Sequence, residues 1–316
     1  MPRKPRLEFE GAKYHVIGRG NYRQELFTMG GAGEAFERAL LETAESARWR
    51  IHAFVVMSNH YHLALETPLP NLSEWMGRLL GVFATRFNRF RGERGHVFQG
   101  RYKSLVVEPG THWAGLIDCI HLNPVRAGLC SVEELETFGL GSYQHYWQRK
   151  FPACLERSTF LAELGFPDNR RGMRNYARYL EVVAEEDASK HEELMQSYTR
   201  GWALASKEYK KALLEDHREW EAAFGSASGE EYQMMREELW ENLVTGYLKE
   251  QKLGEAAIMR DSKSAPWKVD LARKLRKEGA RNRWIADRLR MGDVSRVSAL
   301  VHGRDTPSER GYRSVK

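Results

Sequence analysis

Cysteine is scarce in this sequence. Cys119, Cys130 and Cys154 are the three in 316 residues, and none falls in a CxxC spacing. That excludes a disulfide framework and a zinc finger, and it fits a reducing compartment. No apolar run approaches the roughly 20 residues of a membrane span. The opening MPRKPRLEFEG is basic but lacks the apolar core of a secretory signal. A cytoplasmic protein with no membrane partner is therefore expected. Internal repeats and low-complexity tracts are missing. So is the aromatic-rich strand motif of the usual RNA-binding ferredoxin-like domains, which ranks an RNA-binding reading last.

What is present is enough apolar residue, 42% of the chain, for more than one core; the length allows two or three domains. Charge is unevenly distributed. Residues 1–150 carry 19 Lys and Arg against 15 Asp and Glu; residues 151–265 carry 16 against 22; residues 266–316 carry 14 against 6. Two basic ends joined by an acidic spacer suggest two contacts with a polyanion; uneven surface charge is the plainer alternative.

The first 150 residues alternate strand-like and helix-like stretches. KYHVIGRGN (13–21) reads as a strand running into a glycine-rich turn, and GEAFERALLETAESARWR (33–50) as a helix. IHAFVVMS (51–58) and HYHLALE (60–66) read as two strands joined at Ser58-Asn59. Asn71 is placed to cap a long helix whose apolar residues, from Leu72 and Trp75 to Phe87 and Phe90, recur three or four apart. GRYKSLVVEP (100–109) then reads as a strand and HWAGLIDCIHL (112–122) as a helix. The order β-α-β-β-α-β-α is ferredoxin-like with an added helix. It predicts an α+β domain with a mostly antiparallel sheet and helices on one face. Residues 155–262 read as helical and acidic. From Pro266, three short helices with Gly279 and Gly292 at their turns resemble a helix-turn-helix whose second helix carries Ser295, Arg296 and Ser298. A structural three-helix bundle has the same pattern.

Strand alternation puts His60 and His62 on one face, with Tyr61, Leu63 and Leu65 on the other. Two imidazoles so spaced can hold one metal ion, though half-buried histidines show the same pattern. Asn123 in CIHLNPVRAG (119–128) is a candidate amide ligand, although residue chemistry alone favours a helix C-cap ahead of Pro124. Two imidazoles and an amide would leave a divalent Mg or Mn ion undercompensated in charge and suited to a phosphate oxygen. For phosphate contacts the sequence offers Arg19 in the glycine-rich turn, then Arg78, Arg86, Arg89, Arg101, Lys103 and Arg126.

YHVIGRGN, FVVMSNHYHLAL, VFQGRYKSLVVE and IHLNPVRAGL occur here in the order found in the single-tyrosine HUH transposases. The chain most resembles the REP-associated tyrosine transposases, in a long form with a helical C-terminal extension. The resemblance covers residues 10–147; RGWALASKEYKKAL (200–213) and WIADRLRMG are similar to parts of longer members. It implies an HUH nuclease domain at 1–150; charge and helix pattern add an acidic helical region at 151–265 and a basic helix-turn-helix-like region at 266–316. It implies His60, His62 and Asn123 as ligands of a divalent metal. Single-stranded or hairpin DNA of palindromic repeats would be the substrate, with duplex DNA a partner of the C-terminal region and the nucleoid the site of action. The implied activity is metal-dependent single-stranded DNA cleavage and strand transfer through a tyrosine joined to the 5′ phosphate.

One residue departs from that pattern. The nucleophilic tyrosine of the resembled family lies four residues before the amide ligand, and that position here is Cys119. Three readings follow: loss of strand transfer, leaving a domesticated hairpin-binding protein; another tyrosine in its place, Tyr102 or Tyr143; or a metal site that activates water.

Overall fold

The computed structural model describes residues 6–187, 198–199, 201–216 and 230–301. Two compact units are present, one up to Lys210 and another holding the helices from residue 230 onward.

The first unit is built on five strands, β1 (Ala12–Arg19), β2 (Arg50–Val56), β3 (His60–Thr67), β4 (Lys103–Val107) and β5 (Ala203–Leu204). Their order is β2-β3-β1-β4-β5. The first four are antiparallel throughout in the ferredoxin-like order, as expected. β5 is an addition that the strand-poor look of residues 155–262 does not suggest. It lies parallel to β4 at the sheet edge, where Val106 N–H donates to Trp202 O and Glu108 N–H to Leu204 O.

Period-two alternation divides the chemistry of the two faces. Tyr61 faces α1 (Ala32–Ala47) and α2 (Leu72–Arg91), where its ring lies 4.7 Å from Phe36, itself 5.2 Å from Phe83. Gly18 pairs with Tyr61, and a Cβ at Gly18 would stand 2.3 Å from the Tyr61 hydroxyl, so only glycine lets the ring lie across β1. The crossover helices α1 and α2 share one face, as the ferredoxin-like order requires. The added helix α3 (Thr111–His121) lies on the other face, with Trp113 5.0 Å from His52 and 5.2 Å from the Lys13 ammonium. The expectation of helices on one face therefore holds for the crossover pair alone. α3 is covered in turn by α5 (Ser142–Tyr146), α6 (Ser158–Glu163) and α7 (Arg170–Asp187): His121 bonds Tyr176 and Ser142 and Asp118 accepts from Tyr176 and Tyr179.

Asn71 stands at the N-cap position of α2 but makes no side-chain capping bond. Its side chain instead donates to Ala47 O and accepts from Trp49 Nε1, stapling the end of α1, while Glu8 receives the α2 N–H of Ser73. A distant carboxylate has replaced the local cap that the sequence offers.

In the second unit the three expected helices are Pro266–Lys277, Asn282–Arg288 and Val294–Val301. Gly279 (φ 75°) and Gly292 (φ 99°) take the left-handed turn positions, where a side chain would be strained. Their core of Leu271, Leu275, Ile285, Leu289 and Val297 continues into Trp240, Val244 and Tyr247 of helix Glu230–Glu250, so the basic tail shares its core with the helix before it. Asp293 caps the last helix by accepting from Arg296 N–H.

Candidate functional site

The β2–β3 turn is closed by Met57 N–H donating to His60 O. That sets His60 and His62 on the α3 side of the sheet with ring centroids 5.1 Å apart. His60 is half-buried and His62 buried. Each ring is held by its Nδ1. His60 Nδ1 lies 2.7 Å from Asn59 Oδ1, which can only accept. His62 Nδ1 lies 2.9 Å from His15 Nε2, and His15 Nδ1 lies 2.9 Å from the Tyr198 carbonyl. Burial lowers the pKa of all three, to about 4 for His15 and His60 and well below the usual value for His62; the Arg19 charge adds to the effect at His60 and His62. All three are therefore neutral at physiological pH.

The remaining ring nitrogens, Nε2 of His60 and of His62, make no hydrogen bond among the described residues. Neither does the side-chain amide of Asn123, which is buried at the start of α4 (Asn123–Arg126); the C-cap of α3 is Leu122. Asn123 follows Cys119 by four residues across a junction in which Leu122 keeps near-helical angles (φ −80°, ψ −4°). Gly115, Cys119 and Asn123 accordingly fall on one stripe of the helix. A set of two neutral imidazole nitrogens and one amide oxygen would suit a hard or borderline divalent cation. Among the described residues no three His, Cys, Asp or Glu side chains are grouped for a metal.

The nucleophile candidates fare differently. Cys119 is 3% exposed. Tyr102 packs on the Tyr14 and Tyr61 side of the sheet, across β1 from the histidines, with the Arg6 guanidinium 3.7 Å over its ring. Tyr143 stands in an aromatic cluster 5.4 Å from His121 and 6.2 Å from Tyr176. Burial raises both hydroxyl pKa values, the wrong direction for a nucleophile. The structure brings neither hydroxyl to the histidine pair.

Arg19, Arg78, Arg86, Arg89 and Arg101 are exposed and Lys103 half-buried. Arg78 lies 4.6 Å over the Trp75 ring. Arg126 is half-buried and donates to Cys119 O, closing the end of α3 rather than facing solvent. In the second unit Ser295 and Arg296 are exposed and Ser298 half-buried on the last helix.

Three residues near the site escape a reading of the sequence. His15 and Asn59 look like an ordinary strand residue and an ordinary turn residue, because their partners are set by long-range register. Tyr22 is 84% exposed and left-handed (φ 52°), as is Arg23 after it (φ 57°). Two such non-glycine residues in succession are strained. Their loop is tied to the His60 turn by Gly20 N–H donating to Asn59 O at 2.7 Å, which sets an exposed aromatic ring on the rim beside Arg19.

Among the described residues no helix is long and apolar enough to cross a membrane. Comparison with curated proteins finds no match. Among solved structures, one of a REP-associated tyrosine transposase bound to a REP hairpin is similar at 19% identity, covering 46% of this chain and 84% of that one, with a TM-score of 0.37. A protein of Deinococcus radiodurans described as a candidate transposase is similar at 22% identity, covering 34% of this chain and 88% of that one, with a TM-score of 0.28. The family model for IS200-like transposases matches residues 8–112, from just before β1 to the start of α3. This segment of the chain is similar to the IS200-like transposases.

Proposed function

We propose that the chain binds single-stranded or hairpin DNA of palindromic repeats and holds one backbone phosphate at a divalent metal, Mg or Mn, on His60, His62 and Asn123. The observation that carries this reading is the pair of neutral imidazoles, each tied at Nδ1 and free at Nε2 among the described residues. When bound, such an ion polarises a phosphodiester for in-line attack. The protein's part is to orient the two rings through Asn59 and His15 and to supply an uncharged donor set that leaves the cation's charge for the phosphate. Arg19, Arg78, Arg86 and Arg89 neutralise flanking phosphates, and the exposed Tyr22 ring offers a face on which an unpaired base can stack.

For the chemistry after binding, metal-dependent cleavage is the family reading. Cys119 favours a second reading, a hairpin-binding protein that has lost the covalent step. The protein would then act at the nucleoid as a domesticated transposase. In the second unit, Arg296 and Ser295 on the last helix suit a contact with duplex DNA.

The test is hairpin DNA binding by the full chain across a salt series, with cleavage of the same hairpin in Mg or Mn read on denaturing gels. Binding is expected to fall steeply with salt, and replacing Arg78, Arg86 and Arg89 by Gln to flatten the slope by about 0.7 per lost contact, as for single strands. Tyr22→Ala is expected to weaken binding by about 1–3 kcal/mol at an unchanged slope. Equal affinity for a hairpin and for an unrelated duplex, with no effect of either change, would sink the reading.

A further inference from the structure

We propose that His15 is a positioning residue for the metal site and that Tyr198, from outside the family-matched segment, locks it in place. The inference rests on the metal reading above and concerns how one of its ligands is prepared.

The donor roles in this chain of bonds follow from chemistry alone. The Tyr198 carbonyl can only accept, so His15 Nδ1, 2.9 Å away, carries the proton. A neutral His15 then has a lone pair on Nε2, and His62 Nδ1, 2.9 Å from it, must donate. A neutral His62 with its proton on Nδ1 has its lone pair on Nε2, the atom a metal needs. Tyr198 O, His15 and His62 therefore form a directional relay that admits one tautomer of His62. The two rings also lie nearly parallel, with centroids 5.2 Å apart and an interplanar angle of 25°, so His15 supports the orientation of His62 as well as its tautomer.

Tyr198 is itself fixed at both ends. A Cβ at Gly115 would lie 2.5 Å from the Tyr198 hydroxyl, so the ring is seated on α3 where a glycine admits it. A few residues on, β5 pairs with β4, and Ser206 donates from its backbone N–H and its hydroxyl to Glu108 at 2.7 and 3.0 Å. Family-matched residues end at 112, yet the relay that sets His62 ends at residue 198. The region after residue 150 is thus part of the site's machinery.

Two readouts on the full chain test this. With histidine-selective 15N labelling, imidazole NMR without metal is expected to show His62 protonated at Nδ1 in wild type and in His15→Gln, whose Oε1 can accept in place of the lost Nε2. The proton is expected to move to Nε2 or become mixed in His15→Leu, which offers no acceptor. Mn affinity, measured by calorimetry, is expected to fall about 10–100-fold in His15→Leu, the usual effect of losing an outer partner, with most of it recovered in His15→Gln. Gly115→Ala leaves His15 and His62 intact and adds a methyl where the Tyr198 hydroxyl sits; a several-fold loss of Mn affinity without loss of helix stability is expected. A folded His15→Leu protein with wild-type His62 tautomer and wild-type Mn affinity overturns the proposal. If wild type binds no Mn, the metal reading fails. The tautomer measurement then decides His15 alone: a shift in His15→Leu keeps it as the residue that orients His62, and no shift removes it.

Discussion

Full-length protein carrying His60→Ala and His62→Ala is expected to lose metal-dependent cleavage of a single-stranded hairpin, or metal-dependent tightening of its binding, by more than about 100-fold, because loss of an outer partner of a metal ligand already accounts for 10–100-fold. The fold should survive. His60 is half-buried at a turn, and its removal leaves only the Asn59 Oδ1 acceptor without its donor. His62 is buried, and its truncation strands the His15 Nε2 acceptor, which destabilises by about 1–3 kcal/mol. Circular dichroism and a denaturant midpoint separate that loss from unfolding. Metal-dependent behaviour equal to wild type in the folded double variant would remove the site assignment.

The second large effect concerns Cys119. Wild type is expected to form no 5′-phosphotyrosine adduct, since Tyr102 lies on the opposite face of the sheet and Tyr143 in the His121 cluster. Cys119 sits one turn before Asn123 on the same stripe, so a longer side chain there would extend toward the proposed metal site. Cys119→Tyr is expected to gain a metal-dependent band that survives denaturant. Because position 119 is 3% exposed, the added ring overpacks its site and should lower stability by about 1–3 kcal/mol. A robust wild-type adduct that maps to another tyrosine would contradict this account of Cys119. Cleavage by neither protein, with hairpin binding kept, would favour the binding-module reading.

Much of the first unit is legible from local pattern. The β2–β3 hairpin, the apolar stripe of α2 and the shared face of His60 and His62 all follow from periodicity of two or of about 3.6, which the core enforces. What pattern cannot give is long-range register. His15 meets His62 because β1 and β3 pair with Ile17 opposite His62. Tyr198 reaches His15 because a two-residue strand joins the sheet about a hundred residues after its neighbour; so short a strand carries no periodicity. Asn71 stands at the cap position and serves as a staple, while Glu8 takes the Ser73 N–H that its side chain would have taken. The added helix lies on the face away from α1 and α2 because Trp113, Leu116, Ile117 and Ile120 are buried on it, while α7 supplies Tyr176 for its polar side.

The central claim is that His60, His62 and Asn123 form a divalent-metal site, and calorimetric titration of the full chain with Mn tests it most directly, without needing DNA or turnover. The account predicts one Mn per chain, displaced by excess Mg, with affinity reduced in Asn123→Ala and lost in His60→Ala and in His62→Ala. Mn binding that is absent in wild type, or unchanged in the folded His60→Ala and His62→Ala proteins, would contradict it.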